Sequence, residues 1–139
     1  MAKTFIHKVV FKNTTPKALY NLYMDAKKHA MISGQPAKIS AKVKGAFSVY
    51  GGYISGITHH LEKDKLIVQA WRTAAWDKLD ADSTFIINLA KKGKDVVLTA
   101  IHANVPDLHA ESLSKGWNEH YWKPWKQFIA GKTITRPKM

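Results

Sequence analysis

The chain has 139 residues, 22 Lys+Arg against 10 Asp+Glu, a formal net charge of +12 and no cysteine. One domain with a substantial core is expected at that length, and the lack of Cys excludes disulfides, thiolate metal sites and a cysteine nucleophile. With 45% hydrophobic residues and five Trp, the chain is too apolar for its charge to signal disorder.

The opening residues, MAKTFIHKVV, contain no unbroken apolar run and no small-residue cleavage site, and nothing later is apolar enough to span a bilayer. A soluble, cytoplasmic domain is expected. Thr4–Phe11 alternates as a first strand, with Phe5, His7, Val9 and Phe11 on one face. Thr15-Pro16 starts a helix, with Thr as cap and Pro in the first turn, and Leu19, Leu22 and Tyr23 share its apolar side. Asp25 opens a second short turn that Gly34-Gln35-Pro36 ends. Lys38–Lys44 alternates lysines with Ile39, Ala41 and Val43, the pattern of a strand with one basic face. Phe47–Tyr50 meets Gly51-Gly52, a hairpin signal, and Tyr53–Leu61 returns. Strands are then expected at Lys65–Thr73, Thr84–Ala90 and Val96–Val105, separated by a polar loop at 77–82 and a turn at 91–95. The short connections make the sheet antiparallel. Asp107 is placed as the cap of a long helix of about 24 residues, roughly 36 Å. Leu113, Trp117, Tyr121, Trp125 and Phe128 form its apolar face, Pro124 bends it and Gly131 ends it.

The +12 is concentrated early: residues 1–50 hold nine Lys and one acid. Lys38, Lys42 and Lys44 are the candidate interaction surface for an acidic partner, against the plainer reading of a solvated strand face. Arg occurs only at positions 72 and 136, which argues against nucleic-acid reading. Adjacent His59 and His60 point to opposite faces of a strand and do not share a metal, so neither a metal nor a cofactor is expected. No paired acid and base identifies an active site, and an enzyme is the weaker expectation. His102 alternates with Leu98 and Ala100 and should face the helix, either as a satisfied core residue or as a polar anchor for a ligand. Phe47, Trp71, Trp76, Trp117 and Tyr121 suit either a core or a pocket wall. The facing of Arg72 is open; on the core side it needs a rim position or a carboxylate, with Asp77 and Asp82 as candidates.

Tyr50-Gly-Gly-Tyr-Ile-Ser-Gly56, Ile67-Val-Gln-Ala-Trp71-Arg72, Val105-Pro106 and Gly116-Trp117…Tyr121-Trp122 together resemble the family of activator of heat shock protein 90 ATPase homologues. That family lies within the START-like, helix-grip (SRPBCC) superfamily. The resemblance covers roughly residues 5–130 of a single 1–139 domain. It implies an α+β helix-grip fold: a curved antiparallel sheet wrapped around a long C-terminal helix, with two short helices after the first strand. In eukaryotic activators it falls on the C-terminal domain. The superfamily implies a cavity between sheet and helix. The leading expectation is therefore a non-enzymatic domain binding a small apolar or amphipathic molecule, with Phe47, Trp71, Arg72, Trp76, His102, Trp117 and Tyr121 as candidate contacts. A co-chaperone-like interaction domain is the alternative, and a polyketide-cyclase-like enzyme a weaker one. Gly116 is expected to permit close approach of helix and sheet.

Overall fold

The computed structural model describes residues 2–137. A single antiparallel sheet of seven strands, ordered β1-β7-β6-β5-β4-β3-β2, grips the C-terminal helical segment. The strands are β1 (Ala2–Phe11), β2 (Lys38–Ile39), β3 (Ala46–Val49), β4 (Ile54–Glu62), β5 (Leu66–Thr73), β6 (Ser83–Lys92) and β7 (Asp95–Pro106). Two helices, α1 (Pro16–Met24) and α2 (Ala26–Ser33), follow β1. This is the helix-grip architecture that the resemblance implies.

Local chemistry accounts for the elements. Thr15 caps α1 by accepting from the Ala18 amide at 3.1 Å, with Pro16 in the first turn. Asp25 caps α2 by accepting from Lys28, and Gly34 at φ 73° ends it. Inward side chains alternate along the strands: Phe5, His7, Val9 and Phe11 on β1, and Ile67, Gln69, Trp71 and Thr73 on β5. The second alternation settles which face of β5 is the core. Arg72 lies on the other side.

Three local expectations are corrected. The lysine-rich segment is not an alternating strand. Only Lys38 and Ile39 pair, with Ser48 and Phe47. The chain then curls through Ser40–Gly45, with the Lys42 amide donating to Ser40 O at 2.8 Å and Gly45 to Lys42 O at 2.9 Å. Lys38, Lys42 and Lys44 are exposed, but so are Ala41 and Val43, and no basic strand face forms. Likewise, His59 and His60 do not alternate in and out. A bulge between Thr58 and His60 leaves both exposed.

The third correction concerns the long helix. It runs as α3 (Asp107–Trp117), a π-helical turn (Asn118–Trp122) and α4 (Lys123–Ile129). Asp107 is its first residue rather than its cap; its carboxylate pairs with Lys3 at 3.0 Å. Pro124 has no N–H, so the His120 carbonyl loses its α-helical donor. The Tyr50 hydroxyl donates to that carbonyl at 3.4 Å. A π turn adds a residue without interrupting the helix, shifting the phase of everything after it. Trp117, Tyr121, Trp122 and Trp125 are all buried, Ile129 packs against the core, and Phe128 is 42% exposed. Among the described residues, no helix is long and apolar enough to cross a membrane.

Candidate functional site

The space between sheet and helix is mostly filled. Trp117 lies flat against Phe85 of β6, with ring centres 4.0 Å apart and planes 5° from parallel. Tyr23 of α1 packs against Phe85, Trp117, Tyr121 and Trp125 at 5.9–6.5 Å. These contacts make an aromatic core rather than a chamber.

Several polar groups buried in that core are linked in directed chains. The Trp117 indole N–H donates to His102 Nδ1 at 3.0 Å. A neutral imidazole then carries its proton on Nε2, which donates to Ser83 Oγ at 2.8 Å. The Ser83 hydroxyl donates in turn to the Trp71 carbonyl at 2.6 Å. Burial pushes the His102 pKa down to about 3, which keeps the ring neutral and the relay intact. Next to it, Trp122 donates to His7 Nδ1 at 3.0 Å, and His7 Nε2 donates to Ser114 Oγ at 2.9 Å. Two imidazoles on adjacent strands therefore hold two indoles of the helix by the same geometry. A third, His29, donates from Nδ1 to the Tyr23 carbonyl and accepts the Tyr121 hydroxyl on Nε2. The Tyr23 hydroxyl donates to Gln69 Oε1 at 2.6 Å, and Gln69 donates to Thr58 Oγ1 at 3.2 Å. Burial raises both phenol pKa values, so neither tyrosine ionises in the physiological range.

A cleft of about 190 Å³ opens at the mouth of the grip, and a second of about 340 Å³ lies on the other side of Tyr50 and His120, against α2. The walls of the first are Tyr50, Tyr53 and Ile54 at the β3–β4 turn, Trp71 on β5, and Ser112, Leu113, Gly116, Trp117, His120 and Tyr121 on the helix. Tyr50 has φ 53°, a costly backbone position for an aromatic residue, and contacts with His120 and Tyr121 hold it there. The Trp71 indole N–H has no acceptor among the described residues. The imidazole lining the cleft is His120, whose pKa burial lowers.

Of the seven candidate contacts, Trp71, Trp117 and Tyr121 line this cleft together. Phe47 is buried over Gly56, where a Cβ would collide with its ring and with the Ala70 carbonyl. His102 lies behind Trp117 with both nitrogens engaged. Arg72, on the outer face of β5, bonds Asp82 Oδ1 at 2.9 Å and the carbonyls of Asp80 and Asp77, tying down the β5–β6 loop. Trp76, within that loop, packs inward against Trp71 and His109. Gly116 is not a close-approach position; a Cβ there would meet only His120 at 3.8 Å. The cleft residues not anticipated from sequence are Tyr50, Tyr53, Ile54, Ser112, Leu113, Gly116 and His120. Their signal is present: 113, 116, 117, 120 and 121 have one-face helical spacing, and two tyrosines flank Gly51-Gly52.

Comparison with known proteins agrees with this architecture. An Hsp90 activator from Plasmodium falciparum superposes with a TM-score of 0.83 at 25% identity, covering 95% of this chain and 99% of that one. CalU16 from Micromonospora echinospora shares the fold, with a TM-score of 0.78 at 17% identity over 93% of this chain and 77% of its own. An activator of 90 kDa heat shock protein ATPase homolog from Dictyostelium discoideum is 25% identical over 107 residues, 76% of this chain but 28% of that protein. The chain spans about 30% of the length of the curated relatives it matches. Over residues 13–128 it matches the model of the Activator of Hsp90 ATPase homolog 1-like protein family, and it belongs to that family.

Proposed function

We propose that this chain is a docking domain for an Hsp90-type chaperone, acting through its surface rather than through an interior chamber. The observation that carries the reading is the correspondence with the Plasmodium falciparum Hsp90 activator over nearly the whole length of both chains. The aromatic core supports it, because rings of α1, β6 and the helix occupy the space between sheet and helix. Calorimetric titration of a purified Hsp90-type chaperone with this chain, with and without ATP, tests the reading. Saturable heat is the expected result, and no heat at micromolar concentrations of both proteins overturns it.

A second reading rests on the Trp71 N–H, an unpartnered donor beside a cleft of about 190 Å³. Cavities of about 150 Å³ admit a benzene-sized guest. A compact aromatic molecule with an acceptor atom fits that description. Titrating benzaldehyde, with toluene as the control lacking an acceptor, into ¹⁵N-labelled protein should move the Trp71 indole resonance. An unmoved indole resonance at millimolar benzaldehyde removes this reading.

A further inference from the structure

We infer that the end of the sheet formed by the β4–β5 and β6–β7 turns and the β1–α1 connection is a docking surface for an acidic polypeptide. Antiparallel pairing brings together three segments distant in sequence. Phe11 at the end of β1 pairs with Val96 of β7, Lys92 of β6 pairs with Asp95, and the Leu89 amide bonds the Lys65 carbonyl. The Thr14 amide bonds the Lys94 carbonyl at 3.2 Å, closing the group onto the start of α1. Lys12, Lys17, Lys63, Lys65, Lys91, Lys92 and Lys94 are thereby collected at one end, and all seven are exposed. From β1 to β4 the strands span about 19 Å at the usual spacing.

The acids of this end do not cancel that charge. Asp95 is held by Lys12 at 3.3 Å and by the Asn13 amide at 3.0 Å. Glu62 faces His60 at 3.4 Å, and Asp64 is half-buried with one carboxylate oxygen fully shielded. Apart from Lys12, the lysines have no carboxylate within ion-pair distance among the described residues. The opposite end of the sheet carries Asp77, Asp80, Asp82 and Asp107 against Lys3, Arg72 and Lys78, so the positive excess lies at the turn end.

The side-chain chemistry selects the partner. The three connections hold no Arg for bidentate phosphate contacts and no aromatic residue on which bases could stack. Their residues are absent from the exposed large apolar side chains, which leaves nothing to insert into a membrane. Spaced ammonium groups on flexible stems suit dispersed carboxylates, and they would steer an acidic protein surface at long range.

The partner's identity rests on the chaperone reading; the surface itself does not. The decisive comparison uses two variants of equal charge change, K91E/K92E/K94E at the β6–β7 turn and K38E/K42E/K44E on the β2–β3 connection, which meets β4 at Thr58, four residues short of Glu62. Affinities are measured for the Hsp90-type chaperone, poly-glutamate, a 20-base-pair DNA duplex and phosphatidylserine vesicles, after circular dichroism confirms both variants folded. The expected result is binding of poly-glutamate and the chaperone that weakens at least tenfold in the first variant and less than threefold in the second. Turn-dependent binding of poly-glutamate without chaperone binding keeps this surface and rejects the chaperone reading. Chaperone binding insensitive to the first variant does the reverse. Equal losses in both variants, no binding of poly-glutamate, or tighter binding of DNA or vesicles overturns the inference.

Discussion

His102 shows how one residue type carries opposite meanings depending on its partners. Alternation with Leu98 and Ala100 correctly turned it inward, but inwardness alone did not distinguish a ligand anchor from a packed residue. The Trp117 N–H and Ser83 Oγ decide it by taking both ring nitrogens. His102→Leu should therefore lower stability by about 2–4 kcal/mol, because the Trp117 indole N–H loses its acceptor and Ser83 Oγ loses the donor from His102 inside the core; a urea midpoint measures this. The pH dependence follows with a definite sign. A buried imidazole with a folded pKa near 3 and an unfolded value near 6.5 binds fewer protons when folded. Its contribution is complete above about pH 6.5 and declines as pH falls toward 3. His7, His29 and His120 are shifted in the same direction by burial. Urea midpoints at pH 7, 6 and 5 should fall progressively, and His102→Leu should flatten that slope. Two glycines differ in the same concrete way. Gly56→Ala should cost more than 2 kcal/mol, since its Cβ would enter Phe47 and the Ala70 carbonyl. Gly116→Ala should stabilise α3 by about 0.5–1 kcal/mol, because space exists there and Ala is the better helix former. Thermal melts distinguish the two.

At the scale of elements, the sequence was most legible where one periodicity ran unbroken. Strands β5 to β7, the capped short helices and the Gly51-Gly52 hairpin follow from alternation, Thr15, Asp25 and turn residues. Reading failed where backbone geometry breaks the period. On a straight helix of 3.6 residues per turn, Leu113, Trp117, Tyr121, Trp125 and Phe128 (steps of four, four, four and three) share one face, yet the π turn shifts the phase and Ile129 packs against the core instead. Ile129→Ala should thus cost about 2 kcal/mol and Phe128→Ala less than about 1, the reverse of what straight-helix periodicity predicts. Chemical denaturation of the two variants checks the order. The lysine segment failed for a related reason: Lys44 at φ 68° and the turn around Gly45 override an alternation that only Lys38–Ile39 realises.

For the whole molecule, the number of large aromatics was a better guide than the net charge to what fills the grip. A curved sheet against a helix leaves a gap, and here Tyr23, Phe85, Trp117, Tyr121, Trp122 and Trp125 close most of it. No sequence pattern states how much volume remains, because that depends on how rings from β6, α1 and the helix interdigitate. Charge has a topological side that position along the chain does not show. The first fifty residues hold most of the excess, and strand pairing in addition gathers lysines from positions 12 to 94 at one end of the sheet. The cleft and that basic end are separate features, and only the second offers a broad surface. Sedimentation velocity of this chain mixed with an equimolar Hsp90-type chaperone tests surface docking most directly. A faster boundary containing both proteins, diminishing as salt rises from about 50 to about 300 mM and the Debye length shrinks from about 14 to about 6 Å, is the predicted result. Two independently sedimenting species at every salt concentration would contradict the account.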